Sequence, residues 1–122
     1  MLNVETVATV LIGLVALEHV YIVLLEMVLW KRRAHKVFPI TREFAEQTVS
    51  MASNQGLYNG FLVAALLLGL FLPSPELSHA FKLYGLICVV VAGLWGGITV
   101  HKRIFFVQAV PAGLALAALA LA

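Results

Sequence analysis

The sequence predicts an all-α membrane protein, four transmembrane helices in one bundle forming a single domain over residues 1–122. Three observations predict it. The chain is 62% hydrophobic and 11% charged, against the roughly 45–50% apolar share of ordinary soluble domains. Its apolar residues gather into four runs, each near or above the ~20 residues with which a helix crosses ~30 Å of hydrocarbon. Short stretches rich in basic residues or proline separate the runs.

The first span is expected at about 4–30. Its start, MLNVETVATV, carries an acid where a secretory signal has a basic region, so the helix is expected to stay uncleaved. Such a helix is roughly 40 Å long at 1.5 Å per residue and must tilt or run into the headgroups. Trp30 marks the interface. Residues 31–41, KRRAHKVFPIT, are expected as a short loop, with Pro39 breaking the helix and the Thr41 hydroxyl capping the next one.

The second span is expected at 42–72. Its first half is amphipathic: Glu43, Gln47, Ser50 and Asn54 fall within about 60° of one another on a helical wheel, with Tyr58 beside them. Its second half, FLVAALLLGLFL, is apolar all round. Pro73-Ser74-Pro75 reads as a turn. The third span is expected at 77–100. The fourth, at 104–122, holds Gln108 and Pro111, a proline that a membrane helix tolerates where neighbours satisfy the freed carbonyl.

Charge placement predicts topology. Of the eight Lys and Arg, Lys31, Arg32, Arg33, Lys36 and Arg42 lie between spans one and two, and Lys102 and Arg103 between three and four. Only Lys82 falls on the other side. Positive-inside bias then makes loops 31–42 and 101–103 cytoplasmic and places both termini outside, in a multi-pass membrane protein. The lipid bilayer is the expected partner. Basic residues this few, at membrane boundaries, exclude nucleic acid. The single cysteine, Cys88, excludes an internal disulfide and lies in an apolar run.

The residues that need a reason are ionisable ones inside the first span. A charge at a membrane helix centre costs roughly 2.5–3.5 kcal/mol on insertion scales, so such groups mark function by default. Glu18 and His19 fall near mid-bilayer and Glu26 nearer Trp30. His19 and Glu26 share a face but are about 10 Å apart along the axis, so other helices must supply partners. Asn54 and Gln55 lie about 15 Å from the start of their helix and Glu18 about 18 Å from the end of its own. Matching depths would bring them together, either as an interhelical hydrogen bond or as the lining of a binding cavity. The site residues expected are Glu18 and His19 as catalytic acid and base, with Glu26, Asn54, Gln55, Tyr58, Asn59 and Gln108 binding a ligand. Gly56-x-x-x-Gly60 and Gly93-x-x-x-Gly97 flatten their helices for close packing, and a homodimer through a glycine face is a further expected partner. His101, Lys102 and Arg103 read as a topology anchor. The Glu and His spacing matches no metal-ligand motif. No Ser/His/Asp set or phosphate-cradling glycine loop is present, so no metal and no cofactor are expected.

Several of these residues also carry a resemblance. Glu18-His19-x-Tyr21-Ile22, Leu25-Glu26-Met27 with Trp30, Phe44-Ala45-Glu46 and the block Asn54-Gln55-Gly56-Leu57-Tyr58-Asn59-Gly60-Phe61 resemble the bacterial membrane family called domain of unknown function 1304. The likeness continues through Val91-Ala92-Gly93, Gly96, Thr99-Val100 and Phe106-Val107-Gln108-Ala109-Val110-Pro111-Ala112. The resemblance implies a small integral protein of the bacterial cytoplasmic (inner) membrane with four helices, and no activity or catalytic residues.

Three functional readings follow from the residues. The first is a buried polar site for a small lipophilic molecule, with proton transfer by Glu18 or His19 and isomerisation as the suited chemistry. The second is a proton-coupled small-molecule transporter acting as an oligomer. The third is a structural or accessory membrane subunit, whose polar groups are interhelical glue.

Overall fold

A computed structural model describes residues 2–122, and all regular structure among them is helical. Helix α1 is Val4–Met27, α2 Trp30–Val37, α3 Arg42–Gln47, α4 Val49–Phe71 and α5 Pro75–Thr99. Then come α6 (Lys102–Ile104), a π-helical turn at Phe105–Ala109 and α7 (Val110–Leu121). Four stretches, Val4–Met27, Val49–Phe71, Pro75–Thr99 and Lys102–Leu121, are long and apolar enough to cross a membrane. They match the four expected spans, with differences at their ends that have local causes.

The first span stops at Met27 rather than 30. The Leu24 carbonyl accepts from both Val28 N–H and Leu29 N–H, which widens the last turn, and a new helix starts at Trp30. The stretch expected as a loop is therefore largely helical. Lys, Arg and Ala are good helix formers, and nothing in WKRRAHKV interrupts them. The break comes where Pro39 demands it: Phe38, the residue before the proline, is extended with φ −115° and ψ 157°, as steric conflict with the proline ring requires. Thr41 caps α3 as expected, its hydroxyl accepting from Phe44 N–H at 3.0 Å.

The second span is interrupted at Thr48, a residue outside helix geometry between α3 and α4. Its hydroxyl donates back to the Phe44 carbonyl at 2.8 Å and accepts from Trp30 Nε1 at 2.9 Å. A threonine bonded to the preceding turn competes with the helical ladder and bends it. Helix α5 starts two residues earlier than expected. Ser74 Oγ accepts from Leu77 N–H at 3.3 Å, and Pro75 occupies the first helical position, where its missing N–H costs nothing. In the fourth span the chain swells into the π turn just before Pro111, and Val110 N–H reaches back to the Phe105 carbonyl. Such a turn accommodates proline, whose ring would collide with the carbonyl four residues earlier in a regular helix.

The residues fall into two compact units. One comprises the chain up to Leu17 with Leu62–Ala122. Four helical segments pack there around Ile12, Val15, Ala16, Leu66, Leu86, Val89, Ala112, Ala115 and Leu119. Gly93 allows the closest approach in it, since a Cβ there would meet Ala109 N at 2.5 Å. Gly97 faces Phe105 in the same way, so this glycine pair seats the fourth span on α5. The other unit is Glu18–Phe61, in which the second part of α1 packs on the first part of α4. Gly56 is what lets them touch: a Cβ there would run into Met27 and lie 3.0 Å from Glu26 Cβ. Gly60 faces open space. The faces at Gly56, Gly93 and Gly97 are thus occupied by the chain itself.

Candidate functional site

Within Glu18–Phe61, α1 presents two carboxyl groups that end up in different surroundings. Glu26 is tied. Asn59 Nδ2 donates to Glu26 Oε1 at 2.5 Å, one turn from the place where Gly56 lets the helices meet. A hydrogen bond of that length holds both side chains. Glu18 is not tied. Its side chain is 28% exposed and its Oε1 lies 4.0 Å from His19 Nδ1. That oxygen is buried and accepts no hydrogen bond from the described residues. His19 itself is fully buried.

The expected meeting of Glu18 with Asn54 or Gln55 does not occur. With Glu26 level with Asn59, Glu18 is eight residues up α1 and Asn54 five residues down α4. In antiparallel helices that separates them by about 20 Å along the axis. The depth match assumed two straight helices counted from Trp30 and Arg42. Trp30–Val37 is helix rather than loop, so the two counts do not start level. Asn54, Gln55 and Tyr58 are exposed on α4, and Asn54 lies about 180° around the helix from the α1-facing side marked by Gly56 and Asn59. Tyr58 stacks edge-to-face with Phe61, ring centres 5.6 Å apart. Gln108 sits half-buried in the π turn of the other unit. His101 caps α6, its Nδ1 accepting from Arg103 N–H at 3.0 Å.

Besides Glu26–Asn59, three contacts in this unit are not expected from the sequence. Arg33 Nε donates to the Tyr21 hydroxyl at 2.7 Å, and its guanidinium lies 5.8 Å from that ring's centre. Trp30 binds Thr48 and packs on Phe38 at 5.8 Å. The signal available was weak: an aromatic and an arginine twelve residues apart meet only because α1 ends between them. Among the described residues no three His, Cys, Asp or Glu side chains come together as metal ligands.

The fold and these buried polar groups define the class: an all-helical protein of four membrane-length spans with ionisable groups inside the first. The family follows from comparison. The model for "Protein of unknown function (DUF1304)" matches residues 13–120. "Uncharacterized protein YpaA" of Lactococcus lactis subsp. lactis (strain IL1403) is 33% identical over 118 residues, covering 93% of this chain and 95% of the relative. This chain belongs to the DUF1304 family, as the residues from Glu18 to Ala112 implied. No solved structure matches it.

Proposed function

We propose that the chain is a multi-pass inner-membrane protein, with loops 31–42 and 101–103 in the cytoplasm, that holds a small lipophilic molecule by a polar group at Glu18 and His19. One observation carries this reading: the buried Glu18 Oε1 without a hydrogen-bond donor among the described residues, beside His19, in a helix of membrane length. A buried carboxyl oxygen left without a donor is costly. A hydroxyl or N–H on a lipophilic ligand supplies that donor. Glu18 and His19 can then pass a proton to and from the same molecule, which suits isomerisation. Glu26 and Asn59 keep α1 and α4 in register.

Native mass spectrometry from mild detergent, wild type beside Glu18→Gln, tests it. The expected result is a non-lipid mass on the wild type that is absent from the variant. Bare protein in both spectra, or the same mass in both, overturns the reading.

A second reading rests on a different observation. Asn54 and Gln55 are exposed within the span Val49–Phe71. They lie about 9 and 7.5 Å from its midpoint, inside the ~15 Å half-thickness of the hydrocarbon. Lipid cannot satisfy an amide, whereas an amide both donates and accepts. A second copy inserted in the same direction brings these groups against their own counterparts, and the result is a homodimer. Subunit counting in vesicles by single-molecule photobleaching should give two for the wild type and one for Asn54→Leu. A wild type that counts as one removes this reading.

A further inference from the structure

The unit containing Leu62–Ala122 has an open hollow at the end where α1 and α5 begin and α7 finishes. Its volume is about 300 Å³, the lower limit for a ligand site and room for a small polar group. Glu5 and Thr9 line it from α1, Ser78, His79 and Lys82 from α5, and Leu119 from α7. Two features separate it from a chance surface dip. It carries a carboxylate and an ammonium, yet among the described residues Glu5 and Lys82 form no ion pair with each other. Its cationic side is also held in place. A Cβ at Gly69 would meet Lys82 Cγ at 2.7 Å and Lys82 N at 2.9 Å, so the lysine stem lies directly on the glycine. Ser78 Oγ donates to the Gly69 carbonyl at 2.5 Å, fixing the same turn.

Lys82 is also the basic residue that runs against the charge bias of the sequence, at the opposite end of α5 from Lys102 and Arg103. It lies about 10 Å into its span, and its long stem lets the ammonium reach towards the headgroup level.

We propose that this hollow binds a zwitterion carrying a phosphate and a primary ammonium, the chemistry of a phosphoethanolamine headgroup. Lys82 and a His79 ring N–H meet the phosphate oxygens. Glu5 accepts from the ammonium. The flanking Leu119 and Ala8 suit the start of a lipid's glycerol and acyl region. A headgroup with a phosphate alone leaves Glu5 opposed, and an ammonium alone leaves Lys82 opposed, so both charges are needed. The site shares no residue with Glu18 and His19 and stands or falls separately.

The test uses the full chain in nanodiscs of equimolar phosphatidylethanolamine, phosphatidylglycerol and phosphatidylcholine, released into a native mass spectrometer. The wild type should retain the ethanolamine lipid over the glycerol lipid by about tenfold, the factor that one charge-assisted hydrogen bond carries. Glu5→Gln should remove that preference while lipid binding persists. Lys82→Met, which keeps the stem on Gly69, should weaken retention of all three lipids, since each carries a phosphate. Soluble O-phosphoethanolamine distinguishes the source: displacement of the lipid shows that the headgroup suffices, and failure to displace shows that the attached lipid is required. Equal retention of the three lipids by the wild type, or an unchanged preference in Glu5→Gln with helical content preserved by circular dichroism, overturns the proposal.

Discussion

In the unit that includes Leu62–Ala122, Ile12, Leu66, Leu86 and Val89 expose essentially no surface, and glycines set how close the helices come. In Glu18–Phe61 the same kind of helix pair is joined by side-chain hydrogen bonds: Glu26 with Asn59, Trp30 with Thr48, Arg33 with Tyr21. The contrast matters because lipid tails are as apolar as leucine, so helices in a bilayer gain little from hiding apolar surface from one another. The first unit rests chiefly on fit, with the Ser78–Gly69 bond beside it. The second adds to the close approach at Gly56 a set of directional bonds, each depending on one or two atoms. A region built from polar groups is also where a ligand's polar groups find partners, and among the described residues Glu18 Oε1 is a buried oxygen there with no donor.

Four substitutions sharpen or break this comparison. Gly93→Leu should have the largest effect. It drives a side chain into the Ala109 backbone and should cost about 3 kcal/mol or more of overpacking strain, read by denaturant titration in bicelles. Asn59→Leu comes next, leaving the Glu26 carboxyl without its donor at a cost of about 1–3 kcal/mol. Adding Glu26→Leu should recover most of that loss, because removing both polar partners is far cheaper than removing one. Failure of the double variant to recover would mean that the pair is not the clamp. Trp30→Phe keeps the ring against Phe38 and loses the bond to Thr48, for about 0.5–1.5 kcal/mol. Arg33→Ala should be smallest, under about 1 kcal/mol, since an exposed cation over a ring contributes little. If Arg33→Ala rivals Gly93→Leu, the ordering of the two units is wrong.

Much of the architecture was legible in the sequence because it depends on composition and local chemistry. Four apolar runs gave four membrane-length helices, Pro39 ended α2 by excluding helix at Phe38, and Thr41 capped α3. Which polar groups meet was not legible. Pairing across helices depends on register, and register depended on Trp30–Val37 continuing as helix, so that the chain turns back at Pro39 and not directly after Trp30. The further break at Thr48 contains no proline or glycine and is held by its bond to Trp30. Counting straight helices from their ends set Glu18 against Asn54. The folded chain sets Glu26 against Asn59 and turns Asn54 outward. The basic stretch expected as loop shows the same limit, since charge indicates where the membrane stops rather than where a helix stops.

The central claim is that Glu18 is the available carboxyl of this region and Glu26 the engaged one. Reaction of membrane-embedded protein with a hydrophobic carbodiimide, followed by peptide mass spectrometry, compares the two acids in one sample. The account predicts modification of Glu18 well ahead of Glu26, with Asn59→Leu raising the reactivity of Glu26 alone. Modification of Glu26 first in the wild type, with Glu18 unreactive, would contradict it.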